Sequence, residues 1–109
     1  MTVSVIIPAY NEEATITTVV GTALKSDLVA EVLVINDSST DKTSEVLPKN
    51  RKKVRLLTNN QNSGKGYSLY RGFKNAKSPV VVCLDGDLIN LTKDHIQKLV
   101  QPILKKKRG

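Results

Sequence analysis

Four polar segments in this chain have residue types and spacing that could do chemistry. Asp85-Gly86-Asp87 sets two carboxylates two positions apart, directly after the apolar run Val80-Val81-Val82-Cys83-Leu84. Continued strand alternation would point both carboxylates the same way, and Gly86 would let a ligand approach the backbone. Two nearby carboxylates suit a hard divalent cation such as Mg²⁺ or Mn²⁺, one bound directly and the other through water or set on a ribose hydroxyl. Asn59-Asn60-Gln61-Asn62-Ser63-Gly64-Lys65-Gly66 ends with a lysine between two glycines, a cation for an anionic group. Asn36-Asp37-Ser38-Ser39-Thr40-Asp41 offers Asp37 to a ribose or base, and Thr40 or Asp41 as a helix cap. Pro8-Ala9-Tyr10-Asn11-Glu12 is the fourth segment.

Each segment follows an apolar run, so the elements that must position them can be read next. Val3-Ser4-Val5-Ile6-Ile7 reads as a strand ending at Pro8. Asn11 is then placed to cap a helix with Glu12 and Glu13 in its first turn, and Ile16, Val19, Val20, Ala23 and Leu24 recur at the spacing of one helical face. Glu31 to Ile35 reads as a second strand, with a short helix from Thr40 or Asp41 to about Leu47, where Pro48 ends it. Val54-Arg55-Leu56-Leu57 reads as a third strand, and the loop after it leads into a helix carrying Leu69, Tyr70 and Phe73. Pro79 opens a fourth strand, Val80 to Leu84, and Thr92 is placed to cap a last helix with Ile96, Leu99, Val100, Ile103 and Leu104 on its apolar face.

Continuous apolar strands alternating with amphipathic helices predict an α/β fold, four β-α units around a mostly parallel sheet covered on both faces. Ligands of such sheets bind beyond the carboxyl ends of the strands, so all four polar segments share one rim. Carboxylates, a lysine and helix N-termini on one rim suit a metal-bound diphosphate.

The 109 residues fit one domain, and their net charge of +7 is unevenly spread. Residues 1–48 carry −5 and residues 49–109 carry +12, much of it in Lys49 to Arg55 and in the tail Lys105 to Arg108. No apolar stretch approaches the ~20 residues that cross a bilayer. The start lacks the basic region and cleavage site of a secretory signal, so a cytoplasmic protein is expected. Cys83, the only cysteine, is expected to be a small buried hydrophobe. His95 is expected to be an exposed or capping histidine. The Gly64-Lys65-Gly66 segment fails as a P-loop, because Asn59 and Gly66 stand where Gly and Ser or Thr are required. No G-x-G-x-x-G follows the first strand, which argues against a dinucleotide enzyme. Aromatic residues are too sparse for a nucleic-acid reader, so no nucleic acid is expected as a partner. The basic tail could add about 1 kcal/mol per residue at an anionic membrane, a weak surface contact.

Taken in order, Val5 to Glu13, Val34 to Asp41, Asn62 to Gly66 and Leu84 to Leu88 resemble the motifs of a family 2 glycosyltransferase. The stretch Asp87 to Thr92 is similar to the glucosyl-3-phosphoglycerate synthase and polyprenyl-phosphate glycosyltransferase branches. The resemblance implies a GT-A, Rossmann-like fold with strand order 3-2-1-4 and a nucleotide-sugar donor, a UDP-sugar favoured and a GDP-sugar as the alternative. By the same resemblance Pro8, Ala9, Tyr10 and Glu12 would line the base pocket, and Asp37 would bind the base. Gly64 and Lys65 would contact ribose or phosphate. Asp85 would lie near ribose and metal, and Asp87 would be the principal ligand of Mg²⁺ or Mn²⁺, so that Asp85 and Asp87 carry the catalytic chemistry. The second motif usually begins with two aspartates, and Asn36 stands in the first place.

The resemblance spans residues 3–104, the donor-binding part of an incomplete domain, followed by the basic tail 105–109. The acceptor half and the general base of the family lie outside it, so the acceptor is unknown. The sequence leaves two alternatives, a truncated non-catalytic nucleotide-binding module and a basic protein that binds nucleic acid or membrane. Without later strands the fourth strand would be a sheet edge, which predicts self-association or pairing with a second polypeptide.

Overall fold

The computed structural model describes residues 2–47 and 51–88. Its elements are β1 (Val3–Ala9), α1 (Ile16–Leu24), β2 (Val29–Asn36), β3 (Val54–Thr58), α2 (Lys65–Asn75) and β4 (Val80–Cys83). The strands form one parallel sheet in the order β3-β2-β1-β4, as expected. β1 and β2 sit in the middle, and their near-continuous apolar runs follow from having both faces covered.

Alternation divides those runs between two cores. Val3, Val5, Ile7 and Ala9 of β1 pack with Ile16, Val19, Val20 and Ala23 of α1, joined by Val80, Val82 and Leu84. On the opposite face Ile6, Leu33 and Ile35 pack with Leu57, Leu69 and Val81 beneath α2. Each fully buried Val, Leu or Ile contributes about 1.5–3 kcal/mol, so these two layers dominate the stability of the sheet.

α2 meets β1 through small residues. Ser68 and Gly72, one turn apart, are its buried positions. A Cβ at Gly72 would lie 2.5 Å from Cγ2 of Ile6, so the glycine is what lets the helix sit this close. Tyr70 and Phe73, expected on this helix, are exposed on its outer side, and Tyr67 is exposed with them.

Three local expectations are corrected. The segment from Thr40 to Leu47 is a series of turns and bends, not a helix. Its polar groups serve a neighbour instead. Ser39 Oγ, Thr43 Oγ1 and Asp41 Oδ2 accept the backbone N–H groups of Asn11, Glu12 and Glu13. Asp41 also accepts bonds from the backbone and hydroxyl of Thr43, so it caps a turn and no helix. Leu47 still reaches the core.

Asn11 is not the cap of α1. It holds a left-handed backbone with φ 55°, and its Oδ1 accepts from the backbone N–H groups of Thr40 and Asp41. α1 begins at Ile16, after a turn closed on the Glu12 carbonyl. The donors ahead of α1 are thus satisfied from the loop after β2, which binds the first two loops of the rim into one wall.

Cys83 is exposed, not buried. It stands on the last position of β4, the sheet's edge among the described residues, on the side opposite Val82 and Leu84. The expected last helix from Thr92, with His95, and the tail 105–109 lie outside the described residues.

Candidate functional site

The carboxyl ends of the strands bring the four polar segments together. Ala9, Asn36 and Thr58 are in register across β1, β2 and β3. The ladder runs one step further, with Asp37 N–H donating to the Ala9 carbonyl and Asn59 N–H to that of Asn36. Beyond this level opens a cleft of about 300 Å³. It is lined by Pro8, Ala9, Tyr10 and Glu12 from the end of β1, Asp37 after β2, Lys65 and Ser68 of α2, and Asp85, Gly86 and Asp87 after β4. Every residue that the resemblance assigned to the site lines it except Gly64, which lies beside it as the residue ahead of α2. That size is at the lower end of small-molecule pockets, and the lining is rich in charge for its area.

Asp37 is 5% exposed, and both of its oxygens are engaged. Its Oδ1 accepts from Asn59 Nδ2 at 2.9 Å and from Ser63 N–H at 2.7 Å, and its Oδ2 accepts from Gly64 N–H at 2.9 Å. Burial pushes its pKa up, but these three donors outweigh burial and hold it below the ordinary carboxylate value. Asn36 is buried too, and its Oδ1 accepts the Ser39 N–H across the turn. Asparagine makes that turn without a second buried charge beside Asp37. Ser38 takes a left-handed backbone of φ 59° as the chain turns away.

Lys65 opens α2, and its Nζ lies 2.5 Å from Oδ1 of Asp85. Both side chains are more than half exposed, so the pair is accessible to a ligand. The hydrogen bond and charge of Asp85 raise the pKa of Lys65, and Asp87 adds to this. Gly86 is tucked inward. A Cβ there would meet Glu12 Cγ at 3.2 Å and Ile16 Cδ1 at 3.4 Å, and its carbonyl accepts a 2.7 Å bond from Thr15 Oγ1. Its smallness therefore serves packing against the start of α1 more than ligand approach. The chain turns at this point, the Leu88 N–H closing on the Asp85 carbonyl, and both aspartates remain on the cleft.

The residues present fit a divalent cation of a particular kind. Burial raises the pKa of Glu12, and the charges of Asp87, Asp41 and Asp85 raise it further. Among the described residues lining the cleft, Lys65 is the one positive charge in this crowd of carboxylates. Among the described residues no three His, Cys, Asp or Glu side chains are grouped to hold a metal by themselves. One or two carboxylates completed by phosphate oxygens and water is the arrangement Mg²⁺ adopts with phosphorylated substrates.

Asn59 and Ser68 were not singled out from the sequence. Asn59 is buried directly beside Asp37, and Ser68 Oγ accepts from its Nδ2 at 3.0 Å. The available signal was register: Asn59 follows β3 as Asp37 follows β2.

The family model described as Glycosyl transferase family 2 matches residues 4–109. The chain belongs to glycosyltransferase family 2. Glucosyl-3-phosphoglycerate synthase of Mycobacterium tuberculosis is 35% identical over 112 residues, covering 94% of this chain and 34% of that protein. Undecaprenyl-phosphate 4-deoxy-4-formamido-L-arabinose transferase of Pectobacterium atrosepticum is 32% identical over 107 residues, covering 91% and 32%. Both branches suggested by the sequence are therefore represented. The chain spans about a third of the length of these curated relatives.

Among solved structures, the M. tuberculosis synthase in complex with Mn²⁺, UDP and phosphoglyceric acid superposes with a TM-score of 0.82 at 35% identity. That match covers 94% of this chain and 39% of the other. S. aureus TarS 1–349 in complex with UDP-GlcNAc gives 0.81 at 31% identity, covering 96% and 32%. The fold is accordingly the GT-A type that the sequence implied.

Proposed function

We propose that this chain is the donor-binding part of a glycosyltransferase, taking a nucleoside-diphosphate sugar together with Mg²⁺ or Mn²⁺. The observation that carries the reading is the single cleft in which Lys65 and the Asp85/Asp87 pair face Pro8 to Glu12 and Asp37. Relatives solved with UDP and either Mn²⁺ or Mg²⁺ support UDP over GDP and a divalent metal.

In this reading Pro8, Ala9, Tyr10 and Glu12 bound the base, with the half-exposed Tyr10 ring at its edge. Asp37 faces the base with the accepting capacity its three protein donors leave unused. Lys65 and the Gly64 backbone face ribose and phosphate, Asp85 lies by the ribose, and Asp87 is the principal metal ligand. The metal supplies stabilisation of the charge that develops on the nucleoside diphosphate as it leaves. Lys65 contributes to the same end directly. Its ammonium rests on Asp85 without ligand, and an entering diphosphate offers it a stronger anion. Transfer of Lys65 to phosphate releases Asp85 Oδ1 for a ribose hydroxyl or the metal. Asp85 and Asp87 are in this way the two side chains closest to the chemistry.

Calorimetric titration of the chain with UDP and with GDP, in Mn²⁺ and in EDTA, tests this. UDP should bind in Mn²⁺, and affinity should fall about tenfold or more in EDTA, since a charged contact contributes about 1.5–3 kcal/mol. Asp87→Ala should abolish that metal-dependent part and leave the melting curve unchanged. Equal affinity in Mn²⁺ and EDTA would show that Asp87 does not hold a metal.

A further inference from the structure

We propose that Asn59 is a positioning residue for nucleotide binding, its amide fixing the Asp37 carboxylate and, through it, the backbone that presents Lys65. The proposal rests on the nucleotide reading of the cleft given above. Asn59 is 4% exposed, and both ends of its amide are engaged. Its Oδ1 accepts from Arg71 Nη1 at 3.0 Å, and the same Nη1 donates to the Thr58 carbonyl at 2.7 Å. A guanidinium only donates, so the oxygen of the amide must face Arg71 and the NH₂ must face the opposite way. There Nδ2 donates to Asp37 Oδ1 and to Ser68 Oγ. The orientation is thus set by charge and cannot reverse.

What Asn59 holds is a carboxylate with two tasks. Asp37 accepts the N–H groups of Ser63 and Gly64 immediately ahead of α2. α2 has no side-chain cap of its own, and Gly64 sits there at φ 91°. Asp37 therefore anchors the backbone immediately ahead of α2 from another element, and Lys65 is the first residue of that helix. Three of the four lone-pair positions on Asp37 are taken by Asn59, Ser63 and Gly64, which leaves one on Oδ2 for a ligand. Rotation of the carboxylate would move that free position and loosen the Ser63–Gly64 backbone together. The two backbone donors cannot prevent rotation alone, because they belong to the loop that would move with it. Asn59 continues the β3 ladder through its own N–H to the Asn36 carbonyl, so it is the fixed reference.

The test uses the full chain with UDP and Mn²⁺, comparing Asn59→Ala and Asn59→Asp with the parent at about pH 8 and about pH 5.5. The charged groups hydrogen-bonded at position 59 are Asp37 and Arg71. Aspartate there still accepts from Arg71 but turns a carboxylate towards Asp37, and the pair can close only by sharing a proton. Both variants should bind UDP about tenfold more weakly than the parent at the higher pH, one donor to a charged group having been lost. Asn59→Asp should recover towards the parent at the lower pH, and Asn59→Ala should not. The ratio of affinities in Mn²⁺ and EDTA should stay at the parental value, because Asp85 and Asp87 are untouched. Amide exchange at Ser63 and Gly64 should quicken in both variants while that of Ile6, in the sheet centre, is unchanged. A purely structural role would quicken all three and give no pH recovery, which overturns the proposal. A parent that binds UDP while both variants match it overturns this inference alone. A parent that binds no UDP overturns the nucleotide reading, and this inference with it.

Discussion

Removing the Glu31 carboxylate should destabilise the protein without touching the cleft. Glu31 lies opposite Ser4 at the amino end of the sheet, the far end from the site. It is 7% exposed and accepts from Ser4 Oγ at 2.6 Å, Lys77 N–H at 2.6 Å and Arg55 Nη1 at 3.1 Å. Arg55 donates also to the Asn75 carbonyl, and Ser78 N–H donates to Ser4 Oγ. One carboxylate thus ties β1, β2, β3, the end of α2 and the approach to β4. Glu31→Ala strands three donors. Breaking a buried pair from one side costs about 3–5 kcal/mol, and the low end applies because a third of the Arg55 side chain is exposed and can turn to water. A loss of roughly 3 kcal/mol is a large share of the about 5–15 kcal/mol that holds a domain, and lowers the melting temperature by roughly 12–24 °C. The pKa of Glu31 adds a signature. Burial raises it, but the bonds from Ser4, the Lys77 backbone and Arg55 outweigh burial and hold it below its ordinary 4.5. Its contribution is therefore complete above that ordinary value and disappears as pH falls through the lower folded value. Thermal and urea melts of parent and variant should differ by the full amount at neutral pH and converge in acid, while UDP affinity measured well below melting stays parental. A loss under about 1 kcal/mol, the range of an exposed ion pair, would show that water already solvates this junction.

Three further outcomes follow from single contacts. Gly72→Ala should cost about 1–3 kcal/mol in a urea melt, because the new methyl meets Ile6 side-chain carbons next to its backbone and either α2 or the isoleucine must shift. Gly64→Ala meets no neighbour, but its φ of 91° is strained for any L residue. It should lose roughly 1–3 kcal/mol by melting and weaken UDP binding with it, since Lys65 follows directly. Among the described residues β4 has no strand on its outer side, so sedimentation should show self-association that strengthens from low to moderate salt as the basic excess is screened. A cooperative monomer at both salts would mean that the edge is protected.

The sheet was legible because its signal is redundant. Four apolar runs and the order of the connections between them specify a parallel sheet, and no single residue has to be read correctly. Helices were legible only where an apolar face existed. Ile16 to Leu24 supplies one, and α1 formed there. Thr40 to Leu47 supplies turn formers and few apolar positions, and its hydroxyls and carboxylate were drawn to the N–H groups of the neighbouring loop. Those partners lie about thirty residues away in the chain, beyond any local pattern. The burial of α2 was misleading for a related reason. Hydropathy favours Tyr70 and Phe73, but a helix that approaches a strand this closely needs Ser68 and Gly72 at the contact.

At the site, the types of residue and the rim were legible, but the division of labour was not. Asp37 could be placed on the rim because it directly follows a central strand. That it also anchors the backbone leading into α2 depends on Ser63 and Gly64, whose N–H groups reach it only after β3 and its loop have folded back. The same holds for Lys65, which reads as a phosphate contact and rests on Asp85. The two halves of the cleft are therefore one mechanical unit. The Asp37 carboxylate fixes the backbone ahead of the helix whose first side chain reaches the Asp85 carboxylate. A ligand that draws Lys65 from Asp85 pulls on a helix end held by Asp37, and Asp37 in turn is held by Asn59. Contacts to the base and to the phosphates should for that reason be coupled. Variants at Asp37 and Lys65 should lose less UDP affinity together than the sum of their separate losses, and additivity in that double-mutant cycle would show the two ends to be independent.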